Sequence, residues 1–382
     1  RDDDPEKMKW LQTLYHALKE LELVSDYVDA RFYTNQALPL SKELIHDLYG
    51  DTISGSVTRM EKFAGCAFSH FMQYGLRLRK RLVHEILPTD MGKVFHKTME
   101  LVGKRSDWKF ADDASRDEFV ELMVEQAVTD IQKELFESSY RNEYVLERMK
   151  RISKRAVWAM EQHIKRGDFT PEEYEIAFGE ENHLDSMTFA LEDGEKMLFS
   201  GVVDRMDSIE DDENKYLKII DYKSGKQKFD FAKIFHGLQM QLIIYMNAMM
   251  ELYENKTGKR VYPAGMFYFH MDDPIVNVEH ENEAEHKILK DLKMSGVVNE
   301  DFQLIDHMEH TGSEGYLTLP VRATKNGYDK RSSVLNTTQL LNLGRIVEKK
   351  MTELGNSLMH GDISIKPYEY EGRKPCEYCE FK

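Results

Sequence analysis

The sequence predicts an α/β fold, a central sheet flanked by helices, with a helical lead-in before it and a C-terminal segment wrapped around it. Three observations carry this. Helical periodicities run over about 90–104, 112–137 and 140–166. Near Pro171 the period changes to that of strands. Val202-Val203 and Ile219-Ile220 are apolar on both faces, as strands covered by helices on each side are.

The elements follow in order. Asp4 can cap a first helix, Pro5 suits its first position, and Trp10, Leu11, Leu14, Leu18 and Leu21 repeat at helical spacing. A break over Ser25 to Ser41 precedes a short helix ending near Gly50, and SVTRMEKFAGCAFSHFMQYGLRLRKR reads as two short helices about a Gly65-Cys66 corner. After the three long helices, EYEIAF, MTFALE, LFSGVVDRMDSI and YLKIIDYKSG are strand-like, with turns at Glu192-Asp193-Gly194 and Asp211-Asp212-Glu213-Asn214. A long helix is predicted from about Phe231 to Asn255, then a strand at GMFYFHM, a mixed stretch over 276–333, and a late helix over 337–359. The closing IKPYEYEGRKPCEYCEFK reads as extended and turn structure.

Composition narrows the function. At ~150 residues per domain, 382 residues make two or three domains. Lys and Arg number 52 against 68 Asp and Glu, a net charge of −16, yet 41% hydrophobic and 11% aromatic residues exclude a disordered acidic tail. No apolar run approaches the ~18 residues of a membrane helix, and Arg1-Asp2-Asp3-Asp4 is no signal peptide, so no membrane is expected. Three cysteines exclude a disulfide scaffold and point to a reducing, cytoplasmic setting. The start at Arg suggests a piece of a longer protein.

The strongest local signal is GVVDRMD followed by IIDYKSG. Residues two apart in a strand share a face, so Asp221 and Lys223 point the same way, and a hairpin between the runs brings Asp204 beside Asp221. Two carboxylates and a lysine at the end of buried strands are costly unless compensated, and a divalent cation compensates them. The plainer alternative is an Asp–Lys pair at a strand end with Asp204 tied to Arg205. His96 lies in the helical stretch from about Asp90, where a lone histidine is usually structural. Gln241 and Tyr245 share a face of the next helix, where the plain reading is amphipathic packing.

Taken together, these residues resemble the RecB-type nucleases of the PD-(D/E)xK superfamily, which show a helical His, an Asp after a Gly-apolar-apolar run, an Asp-x-Lys strand and a Gln-x-x-x-Tyr helix in that order. The resemblance implies a nuclease core with a central mixed sheet and Mg²⁺- or Mn²⁺-dependent phosphodiester hydrolysis. It implies that His96, Asp204 and Asp221 hold the metal, with the backbone carbonyl of Tyr222 as a further ligand. Lys223 would serve the attacking water, and Gln241 and Tyr245 would position DNA.

Cys376 and Cys379 form a C-x-x-C pair that alone could be redox-active, half a zinc site, or nothing. With Cys66 upstream, the set resembles the iron–sulfur staple of the AddB family of helicase–nucleases, whose fourth cysteine would fall beyond Lys382. That resemblance covers roughly 40–382 and selects a structural [4Fe–4S] cluster, an AddA-type helicase–nuclease partner, and single-stranded ends of unwound DNA as substrate, with the 5′-terminated strand cut. It also makes residues 1–50 the end of a preceding helicase-like region and 51–382 the nuclease domain. Arg77, Arg79, Lys80 and Arg81, and Arg148, Lys150, Arg151, Lys154 and Arg155, are either phosphate contacts or solvated helix faces. The rivals are a free-standing RecB-like iron–sulfur 5′ exonuclease and a non-catalytic DNA-binding scaffold.

Overall fold

The computed structural model describes residues 5–20, 38–79, 85–106, 108–136, 138–179, 187–280, 283–311, 315–325 and 327–381. The predicted Asp4 cap, Leu21, Lys80 and Arg81 lie outside them. Helices α1 (Pro5–Glu20) and α2 (Lys42–Tyr49) precede β1 (Thr52–Gly55), α3 (Val57–Gly65) and α4 (Ala67–His70). Three long helices follow, α5 (Pro88–Ser106), α6 (Asp113–Phe136) and α7 (Tyr140–Lys165). Next come β2 (Thr170–Phe178), β3 (Met187–Ala190), β4 (Lys196–Phe199), β5 (Gly201–Glu210) and β6 (Asn214–Lys223). Then α8 (Phe231–Phe235), α9 (Gln241–Thr257) and β7 (Arg260–His270) lead into α10 (Ala284–Asp291), β8 (Ser295–Asn299) and α11 (Phe302–Met308). The short β9 (Ala323–Thr324), β10 (Gly327–Tyr328) and β11 (Val334–Leu335) precede α12 (Thr337–Met359).

The central sheet is mixed, in the order β11-β8-β7-β6-β5-β2. β5 and β6 pair antiparallel through a turn in which Asp211 Oδ1 accepts from the N–H groups of Glu213 and Asn214. β6 and β7 are parallel, so the chain crosses over through α8 and α9 between them. Strand alternation feeds two cores. Ile220, Tyr222, Phe267 and Phe269 join α5, α6 and α7 on one face. Leu217, Ile219, Met266 and Tyr268 join α9, α12 and α3 on the other. Ile45 of α2 belongs to this second core, and Leu40 N–H donates to the Gly361 carbonyl at 2.9 Å, so residues 38–49 are built onto the central sheet and α12. Among the described residues no helix is long and apolar enough to cross a membrane.

One predicted element is corrected. The helix expected from Phe231 to Asn255 is two, because Gly237 takes a left-handed φ of 76° between α8 and α9. The break is held by Gln239, whose side chain accepts from Asp230 N–H and donates to the Lys228 carbonyl. It starts α9 at Gln241. The stretch over 276–333, without clear period in the sequence, contributes β8, the short β9 and β10, and two short helices.

Behind β5 and β6 lies a fully buried ion cluster. Arg205 grips Asp207 through Nε (2.6 Å) and Nη2 (2.9 Å), and Lys218 Nζ reaches the same carboxylate at 2.8 Å. The Trp108 ring lies 5.0 Å from the Arg205 guanidinium carbon. Burial pushes the Asp207 carboxyl up, but Arg205 and Lys218 overcome it and hold the group below the usual range. Asp207→Ala would strand two buried cations, so a loss of about 3–5 kcal/mol in denaturant unfolding is expected. An unchanged unfolding midpoint would show that this cluster does not lock the hairpin.

Candidate active site

The β5–β6 register pairs Arg205 with Ile220, which sets Asp204 across from Asp221 at the ends of both strands. Both side chains are buried. Asp204 Oδ2 accepts from Tyr222 N–H at 2.6 Å, a bond that ties the acid to the neighbouring strand. Lys223 shares the face of Asp221, with Nζ 2.6 Å from Asp221 Oδ2, as its spacing predicts. Lys223 Nζ also donates to Gln241 Oε1 at 3.1 Å, and Gln241 Nε2 donates to the Tyr245 hydroxyl at 3.0 Å. Tyr245 is in the core, as packing alone would have it, but its hydroxyl holds the glutamine. Asp204 is not tied to Arg205, which points to the opposite face and Asp207.

From α5, the His96 ring reaches Asp204 Oδ1 with Nδ1 at 3.1 Å and lies 3.9 Å from Glu175 Oε1. His96, Glu175 and Asp204 each offer a donor atom within 4.8 Å of the others, a set of one imidazole and two carboxylates suited to a divalent cation. Asp221 lies outside that close set, paired with Lys223. Tyr222 enters through its backbone N–H, while its ring packs edge-on against Phe269 in the first core.

Sequence reasoning missed Glu175. It sits in β2 with a positive φ of 50°, between Tyr174 and Ile176, which pair with Arg205 and Val203. Glu175 is the last of three acids in β2 and the one next to the apolar Ile176-Ala177-Phe178 that ends the strand, which was the available signal. Crowding of acids shows in their protonation. Burial pushes the Asp221 carboxyl up to about 7, and the Asp204 charge adds to it against the pull of Lys223 and His96. Burial and Asp204 likewise push Glu175 to about 7. Burial would lower His96, but the bond to Asp204 and the charges of Asp204, Asp221 and Glu175 hold it at about 8.

The cysteines lie elsewhere. Cys66 is buried at the α3–α4 corner, Cys376 is exposed and Cys379 half-buried. The C-terminal strap returns to that corner: Tyr368 N–H donates to the Gly65 carbonyl (2.9 Å) and Phe68 N–H to the Ser364 carbonyl (3.3 Å). Cys379 Sγ lies 3.8 Å from Ser69 Oγ, three residues past Cys66. Residues 65–69 and 364–379 therefore meet, but among the described residues the three thiols are not a set lying within 4.8 Å of one another. Arg77 and Arg79 are exposed. The second basic stretch is largely engaged with acids of its own fold: Lys150 with Glu125 and Glu147, Lys154 with Glu121, Arg151 and Arg155 with Asp273. These pairs make it a salt-bridged helix face on which Arg148 and Arg151 are exposed.

Asp221 and Glu175 titrate above the ordinary carboxylate range and His96 above 6.5. Such groups stabilise the fold below their unfolded pKa values and lose that contribution as pH rises through about 7 for the acids and about 8 for His96. In metal-free buffer, Asp221→Asn, which mimics the protonated acid, should melt with wild type near pH 4. At pH 8 it should melt at least ~2 °C above wild type. Parallel melting curves across that range would show that the acids do not crowd one another.

The chain is similar to proteins already named. Curated relatives named as ATP-dependent helicase/deoxyribonuclease subunits include that of Alkaliphilus oremlandii, 36% identical over 362 residues, covering 93% of this chain and 32% of the relative. That of Caldanaerobacter subterraneus subsp. tengcongensis is 33% identical over 386 residues, covering 98% of this chain and 33% of the relative. The chain thus spans about a third of the length of the curated relatives it matches. Residues 54–382, from β1 to the end of the strap, match the family model as a whole, and the chain belongs to the PD-(D/E)XK nuclease superfamily.

Proposed function

We propose that this chain is the nuclease part of a helicase–nuclease subunit of the AddB kind, hydrolysing phosphodiesters of DNA in a reaction that requires Mg²⁺ or Mn²⁺. The observation that carries the reading is the contact line Asp204, Asp221, Lys223, Gln241, Tyr245, met by His96 and Glu175 at one sheet end. His96, Glu175 and Asp204, with Asp221 beside them, would hold the cation. When bound, it would neutralise the crowded acids and lower the pKa of a water. Lys223, held between Asp221 and Gln241, orients the attacking water and takes part in its deprotonation. Gln241 faces the substrate, and Tyr245, buried, acts through Gln241.

The relatives' shared name supports an ATP-driven helicase context and a deoxyribonuclease activity. The proposal further takes the partner to be an AddA-type helicase–nuclease subunit, the substrate to be the 5′-terminated single strand released by unwinding, and the setting to be the cytoplasm. Cys66, Cys376 and Cys379 are assigned to a structural [4Fe–4S] cluster completed by a ligand outside this chain. The backbone hydrogen bonds that bring the strap to the Cys66 corner support that assignment.

In the assembled enzyme, Asp221→Ala and Lys223→Ala should each cut one strand at least ~100-fold more slowly while unwinding continues. Lys223→Ala should still bind Mn²⁺, and chelation should abolish cutting in wild type. Wild-type rates on both strands in both variants would overturn the reading. Full-length protein purified without air should be brown with a broad visible absorbance that Cys66→Ala lacks. A colourless, zinc-loaded wild type would overturn the cluster.

A further inference from the structure

Helix α9 begins without a cap of its own. Its N-cap residue, Met240, has no side-chain acceptor, and Gln239 before it is committed to Asp230 N–H and the Lys228 carbonyl. The first N–H groups of a helix need acceptors from elsewhere. Here they come from a distant helix: Glu61 Oε1, on α3, accepts from Met240 N–H at 2.6 Å and Gln241 N–H at 3.1 Å. A carboxylate there also meets the positive end of the helix dipole. Burial pushes the Glu61 carboxyl up, while the two backbone bonds and the charge of Lys223 pull it back.

The residue so anchored is the one that holds the lysine. Gln241 receives Glu61 on its backbone and passes its side-chain oxygen to Lys223 Nζ. The neighbour of Glu61, Lys62, lies with Nζ 5.9 Å from the ring centre of Phe381 on the strap, and α3 ends at the Cys66 corner. One short helix therefore touches the strap on one side and the start of α9 on the other.

We infer that Glu61 is a positioning residue: it caps α9 from the cysteine-bearing helix and so holds Gln241, and through it Lys223, in the geometry the reaction needs. The inference rests on the proposed role of Lys223. It adds one carboxylate to the apolar packing that links α3 to α9, a residue that nothing in the motif spacing identifies.

The test uses the full-length protein in its native assembly, with cutting rates measured against Mg²⁺ concentration. Glu61→Ala should lower kcat at least ~tenfold, through misplacement of Lys223, with the Mg²⁺ half-saturation concentration unchanged within about twofold. Glu61→Gln keeps an acceptor oxygen and should stay within about threefold of wild type. If Glu61→Ala does not melt cooperatively, Glu61→Asp, too short to reach both N–H groups, takes its place with the same expectation. Combining the loss-of-cap variant with Gln241→Ala should cost no more than the larger single change, since both act on one contact. Additive losses, a wild-type kcat in the cap variant, or an equal loss of Mg²⁺ affinity would overturn the inference. Lys223→Ala is run in parallel. If it cuts at the wild-type rate, the reading of the site fails first, whatever Glu61 does.

Discussion

The constraint on which the rest depends is the antiparallel register of β5 and β6, which fixes Asp204 beside Asp221 at the end of two buried strands. Nothing in a fold favours placing two carboxylates there. The chain accepts the cost because the same register aligns Arg205, Asp207 and Lys218 on the opposite face, where a closed ion cluster locks the hairpin. A slip by one residue would exchange the faces, burying Arg205 among the acids and Asp221 in an apolar core. Register and chemistry are one specification.

Around that hairpin, groups from separate parts of the chain converge: His96 from α5, Glu175 from β2, Gln241 from α9 and Glu61 from α3. The negative charge of the set is met from one side by Lys223 and from another by the imidazole of His96. What remains is a site whose own acids are pushed toward neutrality, the electrostatic state that a divalent cation relieves. The strain at this candidate site lies in its protonation states, with Glu175 at φ 50° as the one backbone departure among the acids.

Legibility in the sequence followed the range of the interaction. Asp221 and Lys223 were readable because a two-residue period decides their face, and the doubly apolar runs before them declared buried strands. Glu175 was not, since its place depends on a positive φ and on its neighbour strand. The break at Gly237 was hidden because apolar residues continue at helical spacing through LQMQLIIY, and only the Gln239 contacts say where α9 starts. The basic run from Arg148 to Arg155 looked available because its partners, Glu121 and Asp273, are far away in sequence. The cysteines hinted at a joined pair of chain ends, but the backbone bonds that make the joint, at Gly65 and Ser364, leave no mark on side-chain identity.

The C-terminal strap meets α3 and α4 where it does for a related reason. The strap has few buried side chains and lies over α3 and α4 through backbone bonds, a ring contact with Lys62 and one sulfur contact. Such a segment is weakly held by hydrophobic burial, so a crosslink there would count for more than one inside the core. A crosslink also needs a rigid seat. The Cys66 corner supplies it, because Val57, Met60 and Phe63 of α3 are buried in the second core together with Ile244 and Met351 of α9 and α12. The strap thus lies against the same helix whose Glu61 accepts from the first N–H groups of α9, so one element touches both.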